Sequence, residues 1–198
     1  MRIVLASQSP SRASILRGAG VEPTIAPAHV DERAIESSLE GASPADIVCA
    51  LATAKAEAIA PEYPGDVVVG GDSMLLLNGK LQGKPHTEAA TVERWRAQAG
   101  RTAELITGHC VLFGKQRFVE ASRTTVHFAD ATEADIAAYA RTGEPLECAG
   151  AFTLEAIGGW FIDRIEGDPS SVIGLSLPVL RRALYSFDLS VSSFWQSR

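Results

Sequence analysis

Asp72 closes an apolar run in Val67–Pro85 (VVVGGDSMLLLNGKLQGKP), and Lys80 and Lys84 follow it in one short hairpin. A carboxylate can hold a divalent cation and lysines can neutralise phosphate. A second set lies near the start of the chain. Ser7-Gln8-Ser9-Pro10-Ser11-Arg12 places hydroxyls and free backbone N–H groups at a helix N-terminus, a ready anion site within reach of Arg12. Lys55, flanked by Ala54 and Ala56, either snorkels to solvent or uses its small neighbours to reach into a cleft. Glu32 and Glu155 are further acids able to hold a cation. The dispersed set of the Ser7–Arg12 turn, Lys55 and Lys84 for phosphate, with Asp72, Glu32 and Glu155 for a cation, suits metal-assisted attack of water on phosphorus. Each piece alone also has an ordinary reading: a hairpin with solvated lysines, a capped helix with an exposed arginine, acids in a first helical turn.

Other chemistries lack their signatures. There is no G-x-x-x-x-G-K-[ST]; Gly79 to Lys84 has the wrong spacing and runs into Pro85. G-x-G-x-x-G, H-E-x-x-H, C-x-x-C and G-x-S-x-G are absent too. With 24 acidic and 18 basic residues the net charge is -6, and no basic stripe suits a nucleic-acid polymer, although one nucleotide needs only a few local cations. Cys49, Cys110 and Cys148 are scattered without metal spacing, as expected of reduced, mostly buried thiols in a cytoplasmic protein. His109 has no second ligand at a metal spacing, which favours a structural role. No run reaches transmembrane length, and the apolar start MRIVLA is too short for a signal-peptide core, so neither a membrane anchor nor a leader is expected.

The elements that must position these residues read as follows. Arg2–Ala6 is a buried strand; Ser9 caps a helix whose first residue is Pro10 and which Gly20 stops. Val21–Ala28 is strand-like, and residues 33–42 form a polar connection with room for a short helix. Ser43-Pro44-Ala45-Asp46 starts a helix that ends at Pro61. The three valines mark a strand buried on both faces that ends near Asp72, and Asn78-Gly79 marks a hairpin. Thr87 starts a helix ended by Gly100, and Thr132 one stopped at Gly143. Glu104–Phe113 reads as a strand broken at Thr107-Gly108-His109, with Phe118–Phe128 its partner. Trp160–Ile165 is a strand, residues 167–178 a long turn-rich loop, and Pro178–Phe187 the last helix. Helices alternating with strands and hairpins predict an α/β fold with a mixed sheet. No repeat, low-complexity tract or linker divides it.

Eight motifs occur in order: LASQSPSR (5–12), VDE (30–32), ATAKA (52–56), GGDS (70–73), GKLQGKP (79–85), TGH (107–109), CAGAF (148–152) and GDPSSVIGLSL (167–177). Together they resemble the Maf family of nucleoside triphosphate pyrophosphatases, from Arg2 to about Leu184. The resemblance implies a single Maf-like domain over 1–198, with an elongated two-lobed mixed-sheet α/β fold and a central cleft, similar to inosine triphosphate pyrophosphatase. It implies release of pyrophosphate from a nucleoside triphosphate, leaving the monophosphate, with Mg²⁺ or Mn²⁺ as cofactor. A cytoplasmic homodimer is the family expectation. The alternative is a nucleotide-binding regulator of septum formation or cell division without turnover. Residue by residue, the family's phosphate turn falls on Ser7, Ser9 and Arg12, and its lysines on Lys55 and Lys84. Its early acid falls on Glu32, and its proton acceptor or metal ligand on Asp72.

Three departures stand out. Ser11 replaces the first of two basic residues often found after Ser-Pro, and Ser73 replaces the usual threonine. Where the pyrimidine-preferring branch has Gln in G-A-Y-G-I-Q-G, residues 150–156 read GAFTLEA, with Glu155 at that place. This looks more like the branch acting on 7-methyl-GTP. A carboxylate can accept hydrogen bonds from guanine N1–H and the 2-amino group, or it can bind metal, and the preferred base stays open between dTTP/UTP and 7-methyl-GTP types.

Overall fold

The computed structural model describes residues 1–196. Its strands are β1 (Ile3–Leu5), β2 (Thr24–Ile25), β3 (Val67–Leu77), β4 (Lys80–Gln82), β5 (Thr102–Phe113), β6 (Gln116–Phe128) and β7 (Ile162–Glu166). They form one sheet in the order β2-β1-β3-β5-β6-β7, with β4 paired to β3. β1 runs parallel to β2 and β3, whereas β3–β4 and β6–β7 are antiparallel, so the sheet is mixed as expected. The helices are α1 (Pro10–Gly18), α2 (Glu32–Ser38), α3 (Pro44–Ile59), α4 (Glu88–Gln98), α5 (Glu133–Arg141), α6 (Pro169–Ile173) and α7 (Leu177–Ser186). The chain divides into two compact units. The first holds Met1–Asp72, Thr107–Ser122 and the chain from Gly174 on; the second holds Ser73–Ile106 and Arg123–Ile173.

The first unit is built on both faces of its strands. Ile3, Leu5, Val67 and Val69 point to one side, where Leu16, Leu180 and Leu184 of α1 and α7 cover them. Val4 and Val68 point to the other, against Ala52, Ala56 and Ile59 of α3. Period-two alternation with apolar residues at every position makes this burial obligatory. Helix α3 lies very close to the sheet because glycines face it. A Cβ at Gly70 would stand 2.0 Å from the Ala52 carbonyl oxygen, and one at Gly108 2.4 Å from the Val48 carbonyl. Gly70→Ala therefore has to push α3 off β3. Overpacking of that kind costs about 3 kcal/mol, roughly 6–12 °C in melting temperature for a chain of this size. Thermal and urea melts check it; a shift under about 2 °C would mean that α3 is not held against Gly70.

The second unit has an aromatic centre. Trp95 of α4 is fully buried, makes edge contacts with Phe128, Tyr139 and Phe161 at centroid distances of 5.6, 5.6 and 5.5 Å, and donates from Nε1 to the Ala151 carbonyl at 2.7 Å. Edge-to-face packing with the indole N–H satisfied is the favourable arrangement for a buried tryptophan.

Several expectations shift. β3 does not end near Asp72 but runs eleven residues through Gly70-Gly71-Asp72, so the aspartate stands in mid-strand. β5 is likewise unbroken at Thr107-Gly108-His109, because Gly108 makes room for α3 rather than for a bend. Val21–Ala28 keeps only the two-residue β2. The 167–178 loop contains the short α6, and Trp160 belongs to a 3₁₀ turn ahead of β7, where it is exposed. Near the C-terminus Phe194 is buried in the first unit's core, while Trp195 is exposed.

Candidate active site

The turn after β1 folds as its sequence dictates. Ser9 is the N-cap of α1, its hydroxyl facing the Arg12 N–H, and Pro10 opens the helix. Ser7 Oγ accepts from Ser9 N at 3.1 Å and from Arg12 Nη1 at 3.1 Å. Arg12 Nε donates to the Gly174 carbonyl at 2.7 Å. The half-buried guanidinium lies against Gly71, where a Cβ would come within 3.3 Å of Nε. Burial lowers the Arg12 pKa from its ordinary value while the charges of Asp72 and Glu32 raise it; a guanidinium stays protonated under either influence. The second glycine of the pair thus admits an arginine, and the first admits a helix.

Helix α3 delivers Lys55 to the same place. The lysine is 8% exposed and does not snorkel. Its Nζ donates to Asp72 Oδ1 at 2.7 Å and lies 2.9 Å from Glu32 Oε1. Asp72 is 9% exposed, whereas Glu32, in the first turn of α2, is half-exposed. Asp31, the N-cap of α2, accepts from the Ala34 N–H at 3.0 Å and so sets the helix that presents Glu32. Five of the sequence-predicted residues, Ser7, Arg12, Glu32, Lys55 and Asp72, are thus joined by direct contacts or by charge, and Ser9 caps the helix beside them.

Glu36 was not picked out from the sequence. It stands four residues after Glu32 on the same helical face. Partial burial and the charges of Asp72 and Glu32 push its carboxyl up, with Lys55 and Arg33 acting the other way. The E-x-x-x-E spacing after Val30-Asp31 was the available signal. Among the described residues no three His, Cys, Asp or Glu side chains form a ready metal site. What exists is a pair of carboxylates converging on one point, at which the Lys55 ammonium lies. Hard oxygen donors of this kind suit Mg²⁺ or Mn²⁺ when phosphate oxygens complete the coordination.

Lys84 and Glu155 belong to the second unit. Lys84 follows β4, half-exposed, with Nζ 3.5 Å from Glu147 Oε2. Its backbone is held as well: Arg94 of α4 donates to the carbonyls of Gly83 and Lys84, the latter at 3.3 Å, and Gly150 N donates to Gly83 O at 3.2 Å. Gly150 has φ +71°, and a Cβ there would strike Leu75 at 2.8 Å, so the C-A-G-A-F stretch needs glycine at that point. Glu155 is exposed, and its carboxylate accepts from Leu154 N at 3.1 Å.

The loop that carries Glu155 hangs on Glu144, another residue the sequence reading passed over. Glu144 accepts from the hydroxyls of Thr153 and Tyr139, the latter at 3.1 Å, from Gly158 N at 3.0 Å and from Ile157 N at 3.2 Å. Burial works to raise its pKa, but these hydrogen bonds hold the carboxyl below the ordinary range. A lowered folded pKa means stability that is present above the unfolded value, about 4.3, and lost as pH falls through the folded one. Glu144→Gln turns one acceptor into a donor facing N–H groups, at a cost of roughly 2 kcal/mol near neutral pH. The melting-temperature gap between parent and variant should narrow below about pH 4; a gap that is flat from pH 3 to 7 would remove the carboxylate from this account.

The sequence profile of the Maf-like protein family matches residues 2–187. A "nucleoside triphosphate pyrophosphatase" of Corynebacterium aurimucosum is 86% identical over 195 residues, covering 98% of each chain. One of Nocardia farcinica with the same name is 53% identical over 204 residues, covering 98% of this chain and 96% of that one. The solved structure of the Staphylococcus aureus Ham1 protein aligns with a TM-score of 0.42 at 18% identity, over 66% of this chain and 73% of that chain, a likeness too distant to argue from.

Proposed function

The chain belongs to the Maf family, and on that premise we propose that it hydrolyses a nucleoside triphosphate to the monophosphate and pyrophosphate. The observation that carries the reading is the Lys55–Asp72–Glu32 contact at 2.7 and 2.9 Å beside the Ser7–Arg12 turn. A buried carboxylate held by an ammonium next to an arginine and a helix N-terminus is what water attack on a phosphate chain requires.

In this reading the helix N-terminus, Ser7, Ser9 and Arg12 bind phosphate oxygens. Asp72 takes the proton of a water whose oxygen bonds to the α-phosphorus, and the bond from that phosphorus to the α,β-bridging oxygen breaks. Pyrophosphate leaves with the bridging oxygen. Lys55 keeps Asp72 oriented through Oδ1, so the second carboxylate oxygen is the one that receives the proton. Glu32 would hold Mg²⁺ or Mn²⁺ together with phosphate oxygens, and in its alternative role Asp72 would join it as a ligand instead of taking the proton; the ion, when bound, supplies charge neutralisation. To Lys84 we assign neutralisation of the leaving pyrophosphate, and to Glu155 recognition of the base, as their motifs imply. A homodimer acting in the cytoplasm on modified or non-standard nucleotides completes the proposal; among the described residues no helix is long and apolar enough to cross a membrane.

A panel of dTTP, UTP, CTP, GTP, 7-methyl-GTP and inosine triphosphate with Mg²⁺ or Mn²⁺ tests it, with pyrophosphate and monophosphate both measured. Equimolar release from at least one nucleotide is expected. Preference for 7-methyl-GTP would support base reading by Glu155; preference for dTTP and UTP would remove it. Silence across the panel would sink the hydrolase reading in favour of a nucleotide-binding regulator.

A further inference from the structure

His109 lies in the middle of β5 and is 1% exposed. Its Nε2 accepts a hydrogen bond from the Ser176 N–H at 2.8 Å. Its Nδ1 lies 3.3 Å from the Glu120 carbonyl, which can only accept, so the proton is on Nδ1 and the ring is neutral. Two residues before Ser176 is Gly174, whose carbonyl receives Arg12 Nε at 2.7 Å. Between them Leu175 is fully buried. Ser176 in turn caps α7, its hydroxyl accepting from Val179 N at 3.1 Å. The three-residue segment is therefore pinned at one end by histidine, in the middle by the core, and at the other end it pins the arginine.

We propose that His109 is a positioning residue for Arg12, acting through Gly174–Ser176 to fix the carbonyl that aims the guanidinium at phosphate. The reason is geometric. A guanidinium on a flexible stem holds a phosphate well only where its other N–H groups are already committed. Arg12 commits Nη1 to Ser7 and Nε to Gly174 O. Ser7 is fixed by the adjoining strand and turn. Gly174 O belongs to a connection between two helices, so its place depends on what anchors that connection. Without the imidazole acceptor the Ser176 N–H is buried and unpaired, and the segment has to shift to find another partner. The T-G-H motif thereby acquires a role that neither ligates metal nor touches substrate.

The inference rests on the phosphate-binding reading of Arg12, and the test separates the two. Inorganic tripolyphosphate binding is measured by calorimetry for the parent, His109→Phe, His109→Gln, Arg12→Met and the His109→Phe/Arg12→Met double variant. Arg12→Met should weaken binding at least tenfold; if it does not, the reading of Arg12 fails first. His109→Phe should weaken binding about tenfold in the parent and less than about twofold in the Arg12→Met background. His109→Gln, which keeps an acceptor for Ser176, should recover most of the loss. Equal losses from His109→Phe in both backgrounds, or no loss in a folded variant, would overturn the proposal. Should His109→Phe not fold, amide hydrogen exchange in Arg12→Met decides. Ser176 N–H should exchange at least tenfold faster there if the segment is one clamp, and an unchanged rate would overturn it.

Discussion

Asp72→Asn is expected to lower pyrophosphate release by roughly 10³-fold on the best nucleotide of the panel, within the range that removing a positioned general base produces. The substitution keeps the shape of the side chain and an oxygen for Lys55, but removes the carboxylate to which proton acceptance is assigned in the proposal. Lys55 retains Glu32 at 2.9 Å, so the ammonium is not left alone and the melting temperature should move by only a few degrees. Nucleotide binding should persist, because Ser7, Ser9 and Arg12 are untouched. The decisive comparison is turnover against tripolyphosphate affinity in one preparation. Loss of turnover with affinity kept places Asp72 in the chemical step; turnover within tenfold of the parent would remove it from that step.

Lys55→Met should damage both stability and activity. The lysine stem is packed in α3, and methionine fills much of the same space. The charge is what disappears, and with it the direct ion pairs that hold two carboxylates at 2.7 and 2.9 Å from one point. Breaking a fully buried pair costs about 3–5 kcal/mol; Glu32 is half-exposed and can turn to water, so about 2–3 kcal/mol is the better expectation. Turnover should fall at least a hundredfold, because Asp72 loses the partner that fixes its Oδ1. Lys55→Arg makes the useful control, since it restores charge but not the single-point geometry. Recovery of stability without turnover in that variant would separate the two roles; full recovery of both would show that charge alone is needed.

The sequence made much of this legible, for identifiable reasons. Ser9-Pro10 and Ser43-Pro44 are local signals, and both helices start where they should. The three valines declared burial on both faces, and the structure has it. The pairing of Lys55 with Asp72 was not legible, because seventeen residues and a helix-to-strand connection separate them and only packing brings them together. Gly70 and Gly108 misled in the same way. A glycine in a strand suggests an end or a bend, whereas here each is a gap in the sheet surface filled by the backbone of α3. Glu144 and His109 were passed over or read as structural because their importance lies in the N–H groups they hold, and a held N–H leaves no mark on composition or spacing; Glu36 did leave one, its spacing of four from Glu32.

The order of the chain through its two units bears on synthesis. β3, β5 and β6 each begin in one unit and end in the other; the chain returns to the first unit at Thr107, leaves it at Arg123 and comes back for the last time at Gly174. A ribosome making this protein therefore exposes Ser7, Arg12, Lys55 and Asp72 early, while the carbonyl that steadies Arg12 and the α7 wall of the first core emerge last. Contacts this distant along the chain are slow to form. Nascent chains shorter than about 175 residues carry Ser7, Arg12, Lys55 and Asp72 in an unfinished core, so a stalled or truncated product is expected to be a substrate for proteases rather than a partly active enzyme.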